Sequence, residues 1–224
     1  MSMDGVQFRV EGKPAPFATG GEKAWRVALE GQGRRGAMNG TERGLRLRFT
    51  LQSLAPQGKP LDLDNLVEPV LSVLVNRMGW FGSRRPAICW WHATKEEGAP
   101  TGCGVQFSTS LEPDAMGFAT HEAAYVGLLP TNGTAPEPAR WAATHPYPFR
   151  AVPPRLGLRL DFGDESVNIG DIATGRVKSF IDGLWPWFGG AAGKPNDHLI
   201  DRLVVTKGLP GAPPGGVRVR LDKA

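Results

Sequence analysis

The sequence predicts an α+β fold built from two similar halves, and three observations support this prediction. Segments recur in the same order at an offset of about 110 residues, which is the mark of an internal repeat. Alternating apolar and charged residues indicate strands in each half, and apolar residues at every third or fourth position indicate a helix. Because order and spacing recur together, we expect one copy over residues 1–109 and a second over residues 110–224.

Three blocks define the repeat. GLRLRFTL begins at Gly44 and returns from Gly157 as GLRLDFGD. NLVEPVLSVL ends at Leu74, and its counterpart GRVKSFIDGL ends at Leu184. ATKEEGAPTGCGVQF is matched from Val205 by VTKGLPGAPPGGVRV, with Thr-Lys, Gly-Ala-Pro and Gly-Val in the same order. Short insertions explain the small drift in the offset.

The elements of the first copy follow from its periodicity. LRLRF places leucine on one face and charge on the other, which is the pattern of a half-buried strand. A helix follows, with apolar residues at every fourth position: Leu66, Val70, Leu74 and Met78. A turn containing Trp and Gly leads to the strand AICWWHAT, a Gly-Pro hairpin loop and the closing strand GVQFST.

The second copy repeats these elements. Its strands are LRLDF, LIDRLVVT and GVRVRL, and its helix carries Val177, Ile181, Leu184 and Phe188 on one side. The Pro-rich stretch LPTNGTAPEPARWAATHPYPFRAVPP is expected to form a long ordered loop. We therefore predict two similar subdomains, each a mixed sheet with helices on one face, that form a pseudo-dimer within one monomeric chain.

Composition excludes several classes of protein. With 41% hydrophobic and 21% charged residues, and with no apolar run near the roughly 18 residues that cross a bilayer, neither disorder nor a membrane partner is expected. The first residues lack the apolar core of a secretory signal, which favours the cytoplasm. The two cysteines lack zinc-ligand spacing.

Arginines are concentrated in GRRGAMNGTERGLRLRF, which contains Arg34, Arg35, Arg43, Arg46 and Arg48. Such a cluster suits an anionic partner such as nucleic acid, because neutralised phosphates release counterions. A solvated basic loop and strand face is the alternative interpretation.

The stretch DLDN before the first helix is a candidate metal site. In an extended segment, Asp62 and Asp64 would point to one side and present two hard oxygen ligands to Mg²⁺. Pro69 is expected in the first turn of the helix, which would leave DLDN in the loop before it. The alternative is a polar helix cap, in which Asn65 and Glu68 form a capping pair.

A longer pattern resembles a known family. The order of strand, D-x-D-N, helix with lysine and then aspartate, acidic pair, strand, Gly-rich hairpin and strand resembles the RusA-like Holliday junction resolvases. The opening FRVEGKPAPF also resembles the N-terminal strand and turn of that family. The resemblance implies an Mg²⁺-dependent, homodimeric endonuclease that cuts branched DNA with three aspartates and a lysine in each subunit.

Neither copy retains the whole family pattern. In the first copy Asp62, Asp64 and Asn65 match, while the lysine, the helix aspartate and the acidic pair are replaced by Glu68, Ser72, Arg84 and Arg85. The second copy shows the complementary loss. Its matching residues are Asp171, Lys178, Asp182, Asn196 and Asp197, and its non-matching ones are Thr174 and Gly175.

The charge pattern, the DLDN stretch and the resemblance together give three sets of candidate site residues. Lys178 and Asp182 are candidate catalytic residues. The candidate metal ligands are Asp62, Asp64, Asp171 and Asp197. The candidate nucleic-acid contacts are Arg34, Arg35, Arg46, Arg48, Arg84 and Arg85.

Three arrangements of these residues stay open. Arg85 can replace the metal of the first copy with an internal ion pair. Asp171 and Asp197 can hold an ion beside Lys178 in the second copy. A composite site that joins Asp62 and Asp64 to Asp197 across the copies is disfavoured, because the family's sites lie within one subunit.

The sequence leaves three functional hypotheses. The first is a RusA-like, Mg²⁺-dependent, structure-selective endonuclease, or a nucleic-acid-binding protein derived from one, that acts on branched DNA. The second is a catalytically inactive duplicated scaffold that binds nucleic acid or a protein partner. The third is a duplicated α+β protein unrelated to nucleic acids.

Overall fold

The computed structural model describes residues 7–33, 42–81, 88–113, 121–145, 147, 149, 151–163 and 175–223. The fold is mixed α+β, as predicted, and its strands form one large mixed sheet. Within the described ranges, no helix combines the length and apolar character needed to cross a membrane.

Among the described residues, eight strands form the large sheet, and a short two-stranded hairpin lies apart from it. The strands are β1 (Gln7–Glu11), β2 (Gly44–Leu51), β3 (Trp90–Glu97), β4 (Gly102–Ser108), β5 (His121–Val126), β6 (Leu156–Phe162), β7 (Gly190–Ala191), β8 (Lys194–Pro195), β9 (Ile200–Lys207) and β10 (Gly216–Lys223).

The sheet has the order β1-β4-β2-β3-β9-β6-β10-β5. The strands before the centre come from the first half of the chain, and those after it come from the second half. Each half pairs its second and third large strands in parallel, β2 with β3 and β6 with β9. At the centre β3 and β9 pair antiparallel, with Ala93 opposite Leu203. Both halves thus have the same strand order, read outward from β3 and β9.

The α-helices are α1 (Glu22–Gly33), α2 (Leu63–Leu71), α3 (Pro136–Thr144), α4 (Arg176–Gly183) and α5 (Trp185–Phe188). A π-helical segment, Ser72–Arg77, continues α2, and a 3₁₀ turn, Asp197–Leu199, precedes β9. The main core joins buried helix residues to one face of the sheet, represented by Leu47 of β2 and Leu203 of β9. Trp90 and Val204 are also buried but lie outside this core, because they belong to the opposite face.

The helix periodicities are confirmed by burial. Leu66, Val70 and Leu74 are fully buried, and Met78 packs against the core. In the second half all four predicted positions are fully buried, but the single predicted helix is divided: Val177 and Ile181 lie on α4, Leu184 follows its end, and Phe188 lies on α5.

The strand alternation is confirmed in β2 but is only half right in β6. In β2 the leucines are buried and Arg48 is exposed. In β6 the charged face is buried as well, with Asp161 fully buried. The side chains of Arg159, Arg218 and Thr206 donate hydrogen bonds to the Asp161 carboxylate at 2.7 to 3.1 Å. A buried carboxylate is tolerated when it is paired and hydrogen-bonded in this way.

The prediction of a long loop in the second half is wrong, because α3 forms within it. Pro136 is compatible with the first turn of a helix, where a backbone N–H has no helical partner. The helix then buries Ala142 and packs Trp141 near Tyr125, Phe180 and Trp187. Helix α1, which buries Trp25 and Leu29, was not predicted either.

The repeated Gly-Leu-Arg-Leu motif begins with glycine because a side chain from a neighbouring strand lies against it. A Cβ atom added to Gly44 would lie 2.0 Å from Cε2 of Trp90 on β3. The matching Gly157 is equally crowded, since its Cβ would lie 1.9 Å from Oδ1 of Asp222. The motif therefore reflects close packing on the face opposite the helices.

We predict that Gly44→Ala lowers the free energy of unfolding by about 1–3 kcal/mol, because Trp90 must shift to admit the methyl group. Gly104→Ala is the matched control. Its Cβ would lie 3.7 Å from the nearest atom, in ordinary contact, so we expect no loss. Urea denaturation of both variants checks this, and equal stabilities would contradict it.

Candidate functional site

Helix α2 begins one residue after Asp62, which is earlier than the sequence indicated. Asp62 has an extended backbone and stands at the N-cap position, while Asp64 lies in the first turn. The prediction that DLDN forms an extended loop is therefore wrong. The two carboxylates are presented by a helix start instead.

Pro69 lies inside α2 rather than in its first turn. Proline has no N–H, so the carbonyl of Asn65, four residues earlier, loses its helical donor. The backbone N–H of Phe17 donates to that carbonyl at 3.0 Å instead. The N-terminal segment thus supplies the hydrogen-bond donor that Pro69 lacks, and α2 begins at Leu63.

The predicted capping pair of Asn65 and Glu68 does not form, because both residues lie within the helix. Asn65 has another role. Its side-chain Nδ2 donates to Oδ2 of Asp62 at 3.0 Å, and no side-chain cap is made by Asp62. The amide therefore holds the Asp62 carboxylate at the start of the helix.

The ammonium of Lys178 on α4 lies among three carboxylates. Its Nζ atom is 3.0 Å from Oδ1 of Asp182, 3.2 Å from Oδ2 of Asp197 and 3.3 Å from Oδ2 of Asp64. Asp182 is one helical turn after the lysine, and Asp197 begins the 3₁₀ turn before β9. Lys178, Asp62, Asp64, Asp182 and Asp197 are called the Lys178 cluster below.

The Lys178 cluster draws residues from both halves of the chain. Asp62 and Asp64 come from the first half, and Lys178, Asp182 and Asp197 come from the second. Two of the three arrangements involve Arg85 or Asp171, which lie outside the described ranges. Among the described residues, Asp64 of the first half meets Lys178 and Asp197 of the second, which is the meeting of the two halves that the sequence disfavoured. The physical reason is that α2 contacts both α4 and the central strands β3 and β9, so the two helix starts meet across the middle of the sheet.

The carboxylates of the cluster are crowded and shielded from water. Asp64 is 4% exposed and Asp197 is 5% exposed. Burial raises the pKa of Asp64 to about 6, with Lys178 opposing this and Asp197 adding to it. Burial also raises the pKa of Asp197 to about 6, and the charge of Asp62 adds to it. One lysine does not offset this negative charge.

Charge within the cluster also shifts the pKa values of Asp62 and Lys178. Burial raises the pKa of Asp62, and the neighbouring charge of Asp64 raises it further. Burial acts to lower the pKa of Lys178, but the surrounding carboxylates outweigh it and raise the pKa. Lys178 therefore stays protonated.

The cluster contains carboxylate oxygens, which are the ligand type that a hard divalent cation takes. One buried oxygen, Oδ2 of Asp64, has no hydrogen-bond partner among the described residues, although Lys178 lies within ion-pair distance. Mg²⁺ prefers carboxylate oxygens. Within the described part of the chain no three carboxylate, histidine or cysteine groups already surround one metal position, and Lys178 lies between three of the acids.

Two nearby residues were missed as site residues by the sequence reasoning. Lys95 on β3 is buried and donates to the carbonyls of Leu61 and His198. The repeated Thr-Lys was a signal for it, although the motif was used only to define the repeat. Glu68 stands where the family has lysine, and burial together with Glu22 raises its pKa to about 7.

The predicted arginine contacts lie away from the cluster or outside the described residues. Arg46 and Arg48 of β2 lie on the sheet face opposite the core, where Arg48 pairs with Glu96 and Arg46 lies over the Trp90 ring. A groove of about 600 Å³ on this face contains both arginines and Arg9. It is called the basic groove below. The remaining predicted residues, Asp171, Arg34, Arg35, Arg84 and Arg85, lie outside the described ranges.

Comparison with known proteins adds no family assignment. The chain matches no protein-family model, and no curated protein is similar to it.

The pKa of Asp64 predicts a pH-dependent effect of Asp64→Asn. The folded-state pKa, about 6, lies above the ordinary value of 3.8, so the folded protein binds more protons between these values and stability falls as pH rises through them. We expect Asp64→Asn to match wild type at pH 4 or below. Above pH 6 it should be more stable by on the order of 2 kcal/mol.

Urea denaturation at several pH values measures this difference. Glu112→Gln removes an exposed carboxylate outside the cluster and controls for the lost charge. A difference between Asp64→Asn and wild type that does not grow with pH would refute crowding at Asp64.

Proposed function

We propose that this chain is a RusA-like, Mg²⁺-dependent endonuclease acting on branched DNA, with one composite site made by two degenerate copies. The observation that carries the proposal is the meeting of Asp64 from the first half with Lys178, Asp182 and Asp197 from the second. Each half lacks residues that the other has kept, and among the described ones Asp64, Lys178, Asp182 and Asp197 lie together.

The arrangement of strands supports the duplication in this proposal. Each half has its first, fourth, second and third large strands in that order, and the third strands meet at the centre of the sheet. A duplicated subdomain paired with itself would produce this order. We therefore interpret the chain as an intramolecular pseudo-dimer, a single-chain counterpart of the homodimer that the resemblance implies.

Hydrolysis of a phosphodiester fits the residues of the cluster. A water oxygen attacks phosphorus, one ester P–O bond breaks, and the leaving oxygen gains a proton. Asp62, Asp64 and Asp197 would hold Mg²⁺, which when bound orients water and stabilises the leaving oxygen. Lys178, 31% exposed, would place a positive charge against the phosphate as negative charge develops.

The position of Asp182 suggests a supporting part in this chemistry. Its carboxylate accepts a hydrogen bond from Lys178 at 3.0 Å. The pair is one helical turn apart on α4, so the helix fixes the direction of the lysine. Asp182 would thus keep the ammonium in place when Asp64 and Asp197 turn to a metal ion.

A second candidate function is nucleic-acid binding without hydrolysis, and the basic groove favours it. The groove lies on the face opposite the cluster, so a strand bound there is remote from the carboxylates. In this alternative Lys178 acts as a permanent internal counter-ion of the acids. The scaffold would then keep its fold and its affinity for phosphate, but no cleavage.

Cleavage of a four-way DNA junction in Mg²⁺ tests the first function. We expect Asp64→Asn and Asp197→Asn each to lower the rate by about 100-fold or more, because both serve one site. The double variant should lose little beyond the larger single loss, since residues that act as a unit are not additive. Glu112→Gln should cleave like wild type.

Other results would separate the alternatives. If each single variant kept about half of the activity and only the double variant lost it, the halves would hold separate sites. Absence of Mg²⁺-dependent cleavage by the wild-type chain would leave the binding function.

Binding through the basic groove makes a separate prediction. Arg9→Gln combined with Arg46→Gln should weaken binding to junction DNA and reduce its salt dependence, with the slope changing by about 0.9 for each phosphate that is no longer neutralised. Fluorescence anisotropy at several salt concentrations measures both. The control is Arg140→Gln, which removes one exposed charge of α3 outside the groove. Unchanged slopes would exclude the groove as the DNA-binding surface.

A further inference from the structure

Lys95 is a buried lysine that bridges the two halves beside the Lys178 cluster. It lies near the end of β3, on the face that packs against the helices, and is 3% exposed. Its Nζ donates to the carbonyl of Leu61 at 2.6 Å and to the carbonyl of His198 at 2.7 Å. The first carbonyl belongs to the first half, and the second belongs to the second half.

The two bonded carbonyls are adjacent to the acids of the cluster. Leu61 directly precedes Asp62, and His198 directly follows Asp197. A single ammonium therefore sets the separation of the two backbone segments that carry these carboxylates. The two segments belong to different elements, because one leads into α2 and the other is the 3₁₀ turn before β9.

The charge of Lys95 is compensated at its other side. Oδ1 of Asp201 lies 3.7 Å from Nζ, and Arg155 forms an ion pair with the same carboxylate. Burying an ammonium is costly unless it is paired and hydrogen-bonded. Lys95 is buried in spite of this free-energy cost. An apolar side chain would fill the same space but would leave the carbonyls of Leu61 and His198 without this donor.

We propose that Lys95 is a positioning residue of the composite site, which holds the segments of Asp62 and Asp197 at a fixed separation. This inference rests on the proposed function, because it explains how two halves keep one site in register. Lys95 acts through the backbone carbonyls and does not itself belong to the Lys178 cluster.

Three variants of the full chain separate this role from simple packing. Lys95→Met keeps an unbranched side chain that is one atom shorter and removes its donors, while Lys95→Gln keeps an amide donor. Lys23→Met removes an exposed lysine of α1 and is the control. Hydrogen exchange monitored by mass spectrometry reports the segments around Leu61 and His198 without requiring activity.

We expect Lys95→Met to accelerate exchange in both segments together by about tenfold or more, because each loses a hydrogen bond. Lys95→Gln should show a smaller acceleration, and Lys23→Met none. Under saturating Mg²⁺ and junction DNA, kcat should fall at least about tenfold in Lys95→Met and recover in part in Lys95→Gln.

The outcomes distinguish this inference from the proposed function. If exchange accelerates in the two segments but the wild-type chain does not cleave DNA, the positioning role stands and the endonuclease fails. If Lys95→Met folds cooperatively and both its exchange and its kcat equal those of wild type, the positioning role is overturned. Acceleration spread evenly over the chain, or no advantage of Lys95→Gln over Lys95→Met, also overturns it.

Discussion

The attraction between the Lys178 ammonium and carboxylates from both halves is the interaction on which the site depends. Asp64 reaches it from α2, and Asp182 and Asp197 reach it from the second half. Because Asp64 is almost fully buried, its charge is stable only beside a cation. The start of α2, the direction of α4 and the turn before β9 must therefore all be in place together. Removing the lysine would leave several acids facing one another in a poorly solvated space.

Much of the fold could be predicted because it rests on local periodicity. Leucine alternation in β2 and the apolar positions of α2 and α4 are properties of contiguous residues, and burial confirms them. The predictions that failed concern residues whose partners are far away in the sequence. The Asp161 carboxylate is buried only because arginines from β6 and β10 and a threonine from β9 reach it. Helix α3 lies in a Pro-rich stretch that is typical of a loop until Trp141 is seen packed against Trp187.

The sequence could predict the residues of the candidate site, but not that they lie together. The DLDN pattern identified Asp62 and Asp64, and the resemblance to the RusA-like family, laid over the second copy, identified Lys178, Asp182 and Asp197. Their convergence depends on how the halves meet, and no local pattern encodes that. The backbone of DLDN was misjudged for a similar reason, since the Phe17 N–H that satisfies the Asn65 carbonyl comes from far along the chain. Lys95 was overlooked because a lysine in a strand usually faces water.

The central pairing of β3 with β9 also has a kinetic consequence. Trp90 pairs with Thr206 and Thr94 with Arg202, so the middle of the sheet joins residues that are far apart in the sequence. Such distant contacts slow folding, because a long loop must close before they form. During synthesis β3 must wait as an unprotected edge until β9 has emerged, and an open edge strand can pair with another chain. The yield of folded protein should therefore fall at high protein concentration more steeply than the small size of the chain suggests.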